Sequence, residues 1–134
     1  MSLQFSVAVR NARLDAVETT ISTTAKLAIY SGAVAANCAA SSPSGLLATL
    51  TLPSDWMASA SSGTKGLLGT WTGTATGSGN AASFRVFASD GTTCGMQGTV
   101  TATGGGGDLT LDNINIASGQ TINITSWTLT DGNA

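Results

Sequence analysis

Two thiols and seven carboxylates are the side chains of this sequence best suited to chemistry. The acids are Asp15, Glu18, Asp55, Asp90, Asp108, Asp112 and Asp131. There is no histidine. That removes Ser-His-Asp and Cys-His nucleophiles, the usual catalytic zinc sites and the commonest general base near neutral pH. A phosphate-binding loop and a dinucleotide fingerprint are also missing. A glycosidase needs two acids flanking its sugar, together with aromatic platforms. Aromatics make up only 5% of this chain, and most of the acids sit at caps or turns, where Asp bonds local backbone. We therefore expect no enzyme and no cofactor.

Cys38 and Cys94 are too few for a zinc site built on thiolates. Either they are free, small, buried residues, or they form one disulfide closing a long loop. Spacing alone leaves both open. The run GGGGDLTLDN resembles one turn of a calcium-binding repeat, but such sites need stacked repeats and this one occurs once. It reads better as a flexible turn entering a strand, and no metal site is expected. Asn123-Ile124-Thr125 is a formal glycosylation sequon at a mid-strand position and is read as accidental.

What positions these residues follows from pattern. The 134 residues fit one domain, with a hydrophobic fraction of 42%. Charged residues make up only 9%, against roughly 25% in an average soluble domain, and polarity comes from Thr, Ser, Asn and Gly. A surface so poor in charge costs little to cover, so a subunit of an assembly is expected, with copies of itself among its partners. The net charge is -2 and the five basic residues are scattered, which argues against nucleic acid. No stretch approaches the roughly 18 apolar residues needed to span a bilayer, and the start lacks a signal-peptide pattern. The expectation is a chain made in the cytoplasm, with no membrane partner.

Residues 1–24 read as an N-terminal helix or arm, helical over about 3–20 with Ser2 as cap. At 100° per residue Phe5, Val9, Ala12 and Ala16 form one apolar stripe, and Val7, Leu14, Val17 and Ile21 gather on another side. Such a helix either packs on its own domain alone or touches a second subunit as well. Residues 25–134 then read as strands over 26–31, 46–52, 66–76, 82–89, 92–103, 108–117 and 120–130, with a hairpin turn at Asp90-Gly91. The fold class expected is mainly β: an antiparallel β-sandwich or jelly roll of about seven or eight strands with one N-terminal α-helix. An interrupted barrel is the main alternative. The loop at 53–65 holds Trp56 and Met57, which either cap the end of their own sandwich or anchor a neighbouring chain.

With NARLDAVETTI, TLPSDWM, TATGGGGDLTLDN and the ending WTLTDGNA in view, the chain resembles small virion structural proteins of tailed bacteriophages and prophages. The resemblance spans nearly the whole chain and rests on sequence texture, not on a catalytic signature. It implies a location in the virion, most directly as a head decoration (cement) protein bridging subunits of the major capsid protein. On that expectation Phe5, Val9, Leu14, Val17, Trp56 and Met57 are the candidate contact residues. The alternatives are a neck or tail position, or a carbohydrate-binding module using Tyr30, Trp56, Trp71 and Trp127.

Overall fold

Apolar residues at alternate positions favour extended backbone with one buried face, and short strands dominate the chain. The computed structural model describes residues 3–132. Helix α1 (Val7–Ile21) is followed by β1 (Lys26–Tyr30), β2 (Leu46–Thr51), β3 (Thr64–Gly66), β4 (Trp71–Thr74) and β5 (Gly79–Asn80). Then come β6 (Ser83–Phe87), β7 (Cys94–Ala102), β8 (Leu109–Leu111), β9 (Asn115–Ile116), β10 (Thr121–Ile124) and β11 (Thr128–Thr130). Five strands form one sheet in the order β2-β1-β6-β7-β8, and β4–β10, β3–β11 and β5–β9 form two-stranded pairs. The protein is mainly β, with one N-terminal helix and a curled sheet. The curl is visible where β4 returns to β2. Ala48 and Ala75 form an antiparallel bridge there, and the N–H groups of Thr76 and Gly77 both donate to Leu47 O.

The structure differs from the sequence expectation in three ways. The sheet is not wholly antiparallel, because β8 runs parallel to β7, with Val100 opposite Leu109. The glycine run before β8, with φ of 88° at Gly104 and 81° at Gly106, lets the chain double back twice. The long strand expected over 66–76 is broken, leaving β3 and β4. Those expected over 108–117 and 120–130 likewise split, into β8 and β9 and into β10 and β11. The helix is also shorter than expected. Ser2 lies outside the described residues, and the cap is Ser6, whose Oγ accepts from Val9 N at 3.2 Å. Residues 3–6 stay out of the helix.

The main core lies inside the curl and unites Leu27 and Ile29 of β1, Leu47 and Leu50 of β2, Val86 of β6 and Ile122 of β10. Three tryptophans run through it. Trp56 lies 5.8 Å from Trp71, Trp71 lies 5.2 Å edge-on to Trp127, and Trp127 lies 5.7 Å edge-on to Phe84. Each indole N–H is satisfied by a carbonyl: Ser22 O for Trp56, Trp56 O and Leu68 O for Trp71, and Asp108 O for Trp127.

Strand β6 is buried on both faces. Its second face, with Ala28, Tyr30 and Phe87, is a smaller apolar cluster against which Cys94 packs. The segment 32–45 crosses this side of the sheet as a flap. Arg85, buried in β6, donates to the carbonyl oxygens of Asn37, Ala40 and Ser41, to Ser42 Oγ and to Gln97 Oε1. Gln97 Nε2 donates to Ala35 O at 2.7 Å. A disulfide between Cys38 and Cys94, with Cα atoms 5.4 Å apart, ties the flap to β7. The thiols are therefore paired, and the free-thiol alternative falls away.

Candidate functional site

Helix α1 divides the expected contact residues into two groups. Leu14 and Ile21 are buried against the β body, and Val17 packs on the same core. Gly95 of β7 leaves no room for a Cβ beneath Ile21, so the helix sits directly on the backbone there. Asn11 and Arg10 mark the end of this contact. Asn11 Oδ1 accepts from Gly63 N at 2.9 Å, and Arg10 donates to Ser62 O at 3.3 Å. Upstream of them residues 3–9 are exposed.

Polar groups fix the helix as firmly as apolar ones. Lys65 of β3 is almost wholly buried, and its ammonium donates to Asp15 Oδ1 at 2.8 Å, Glu18 Oε2 at 3.1 Å and Ala58 O at 2.9 Å. The Lys65 hydrogen bond, helped by Ala60 N–H, holds the Asp15 carboxyl below its ordinary value. Burial, reinforced by a hydrogen bond with Asp55, pushes Glu18 up. Burial pulls the Lys65 ammonium down, but its bonds to the two carboxylates outweigh this and leave it above the usual lysine value. These acids border a polar pocket of about 410 Å³. The cluster is a tether between helix and sheet. Other acids are engaged locally: Asp108 accepts from Thr99 N and Oγ1, and Asp131 pairs with Arg13 at 3.1 Å. Among the described residues no group of acids or thiols is arranged to hold a metal.

Three of the six expected contact residues, Leu14, Trp56 and Met57, are buried, and Val17 is partly buried. Leu14 is buried and Val17 and Ile21 pack on this chain's own core, while the same side of the helix borders an apolar groove. Trp56 and Met57 cap the chain's own core, where the Trp56 indole finds both an aromatic neighbour and Ser22 O. Phe5 and Val9 do remain at the surface, and the structure adds Leu3 and Val7. Their exposures are 74% for Leu3, 39% for Phe5, 49% for Val7 and 43% for Val9. Only Leu46 and Leu68 join them as exposed large hydrophobic residues among those described. A signal for Leu3 and Val7 was present in the sequence: Leu3, Phe5, Val7 and Val9 alternate, a strand-like period preceding a helix. The Arg13 guanidinium lies 4.9 Å over the Phe5 ring.

Beside α1 runs an apolar groove of about 580 Å³, bordered by Ala16 and Val17 of the helix, Gly95 and Met96 of β7, and Leu129 and Thr130 of β11. The aromatics proposed for sugar stacking lie elsewhere: Tyr30, Trp56, Trp71 and Trp127 are all buried, leaving Phe5 as the one exposed aromatic among the described residues. No helix of the described residues is long and apolar enough to cross a membrane. In comparisons with protein-family models, curated proteins and solved structures, this chain matches none.

Proposed function

We propose that this chain is a structural protein of a tailed-phage virion, a head decoration (cement) protein that bridges major capsid subunits and copies of itself. In this reading the curled sheet and the β4–β10 pair are the two layers of a jelly-roll-like sandwich. The chain is not an enzyme, takes no cofactor, and binds neither nucleic acid nor membrane. One observation carries the reading. Exposed apolar side chains concentrate on residues 3–9, on a molecule whose charged residues amount to only 9% of the sequence. Such a patch, if left in water, marks a surface meant to be covered. The resemblance to virion proteins supplies the setting, and a disulfide suits a particle that leaves the reducing cytoplasm. Binding that favours one state of a shell stabilises that state by mass action, and many symmetric copies multiply modest contacts.

A neck or tail position is the second reading, and copy number separates the two. Mass spectrometry of purified particles, with labelling to give radial position, is the test. Hundreds of copies at the outer radius support the head, about six or twelve copies support the neck or tail, and none in the particle refutes both. The carbohydrate-binding reading is disfavoured, because its four proposed stacking residues are inside the protein.

A further inference from the structure

The exposed segment and the groove beside α1 have matching chemistry. Within the five-stranded sheet, β7 pairs with β6 along Cys94–Thr99 but with β8 only from Val100 onward. The first half of β7 therefore has an edge with no strand partner among the described residues. β11 pairs with β3 on one side only. Gly95 and Met96 on one side, and Leu129 and Thr130 on the other, border the same groove, with Val17 and Ile21 of the helix over it. The groove is thus a slot joining two strands that each have an unpaired edge, with an apolar lining.

Residues 3–9 have the pattern such a slot accepts. Leu3, Phe5, Val7 and Val9 fall on one side of an extended chain, the segment carries no charge, and β-branched Val7 and Val9 favour a strand over a helix. Residues 3–6 are already outside the helix, and Ser6 is extended at φ -63°, ψ 160°. Only the first helical turn has to unwind. Arg13, the one charged residue at the slot, is paired with Asp131, so neither partner buries a lone charge.

The segment cannot fill the slot of its own molecule. It leads straight into the helix that walls the slot, and each helical residue carries it about 1.5 Å further along the axis, away from Val17 and Ile21. We propose that residues 3–9 of one copy enter the slot between β7 and β11 of a second copy and pair there as an added strand. Donor and acceptor are different patches, so copies either exchange segments reciprocally in a two-fold dimer or run head-to-tail into a ring or an open chain. The inference rests on the assembly reading for its setting. It is tested on the purified chain without particles, so either can fail alone.

The test is sedimentation of the purified protein together with three variants, each checked by circular dichroism for its β signature. Wild type is expected to sediment as two or more copies of the 13.2 kDa chain. Deleting residues 2–9, or changing Val7→Asp with Val9→Asp in case the deletion frays the helix, removes the donor and gives single copies. Ala16→Arg with Thr20→Arg, at groove-lining positions of α1, blocks the acceptor and also gives single copies. Mixing the deletion with the blocked variant puts one intact donor and one intact slot together, and a mixed dimer of one copy of each is expected. A monomeric wild type at every concentration overturns the proposal. So does full-size assembly of the donor-less variants, or self-association of the blocked variant, which would show a contact that needs no slot.

Discussion

Lys65 shows how one side chain can decide whether nearby acids form a reactive site or a fastening. With its ammonium between Asp15 and Glu18, the acids are neutralised and α1 is locked to β3. Lys65→Met should cost about 2 kcal/mol at neutral pH, a figure reduced because the Asp15 side chain is 46% exposed. The folded Glu18 carboxyl is raised, so it binds its proton at a higher pH than in the unfolded chain. Its contribution therefore grows as pH falls through that window and is lost as pH rises. The gap between Lys65→Met and wild type should narrow as pH falls from neutral toward the ordinary 4.5 of a glutamate, as read by urea denaturation. An unchanged gap would separate the lysine from the carboxylates. Asp90 behaves in the opposite sense. The Thr93 hydroxyl and the N–H groups of Thr93 and Thr92 lower its pKa to about 2, so its contribution is intact above its ordinary 3.8 and disappears as pH falls toward 2. Asp90→Asn, which does not titrate, should show a flatter fall of Tm across that range than wild type.

At the scale of elements, α1 is two helices in one: an anchored half from Arg10 onward and an exposed first turn. Leu14→Asp places a carboxylate in the core and should cost at least about 3 kcal/mol, whereas Val9→Asp should stay within about 0.5 kcal/mol. Thermal melts of the two variants check this, and equal losses would mean the first turn is packed after all. The helix itself, β1, β2, β6, β7 and the Asp90-Gly91 turn were legible from periodicity and turn residues, because each obeys a local rule. Which side of α1 faced inward was not legible. Phe5, Val9, Ala12 and Ala16 make as good a stripe as Leu14, Val17 and Ile21, and only the partner surface on β3, β7 and β11 breaks the tie. Trp56 was ambiguous for the same reason: a tryptophan in a loop is equally suited to its own core or another's, and Trp71 with Ser22 O decides. The parallel β8 follows from glycines at positive φ, and the long strands split where the chain changes pairing partner, neither of which alternation encodes.

The whole molecule is a curled sheet closed on its outer side by the flap over β6. The Cys38–Cys94 bond joins residues 56 apart in sequence and so constrains much of the unfolded chain. Replacing both cysteines by serine should lower stability by about 4 kcal/mol on the chain-entropy account. Backbone amides of 35–42 should lose hydrogen-exchange protection before those of β1 and β6. Exchange that rises equally everywhere would show that the flap has no independent opening. The way Arg85 holds that flap sets what kind of change it can survive. Three of the guanidinium's partners are main-chain oxygens, of Asn37, Ala40 and Ser41, and Gln97 likewise grips Ala35 by its carbonyl. Those grips are indifferent to the identity of the residue that supplies the oxygen. Exchanges such as Ala40→Ser or Ser41→Ala should pass unnoticed, while inserting or removing a single residue would slide every oxygen out of reach and strand a permanent charge indoors. In this covering strip length matters throughout, while spelling is free only where the main chain alone is gripped, at Ala35, Ala40 and Ser41.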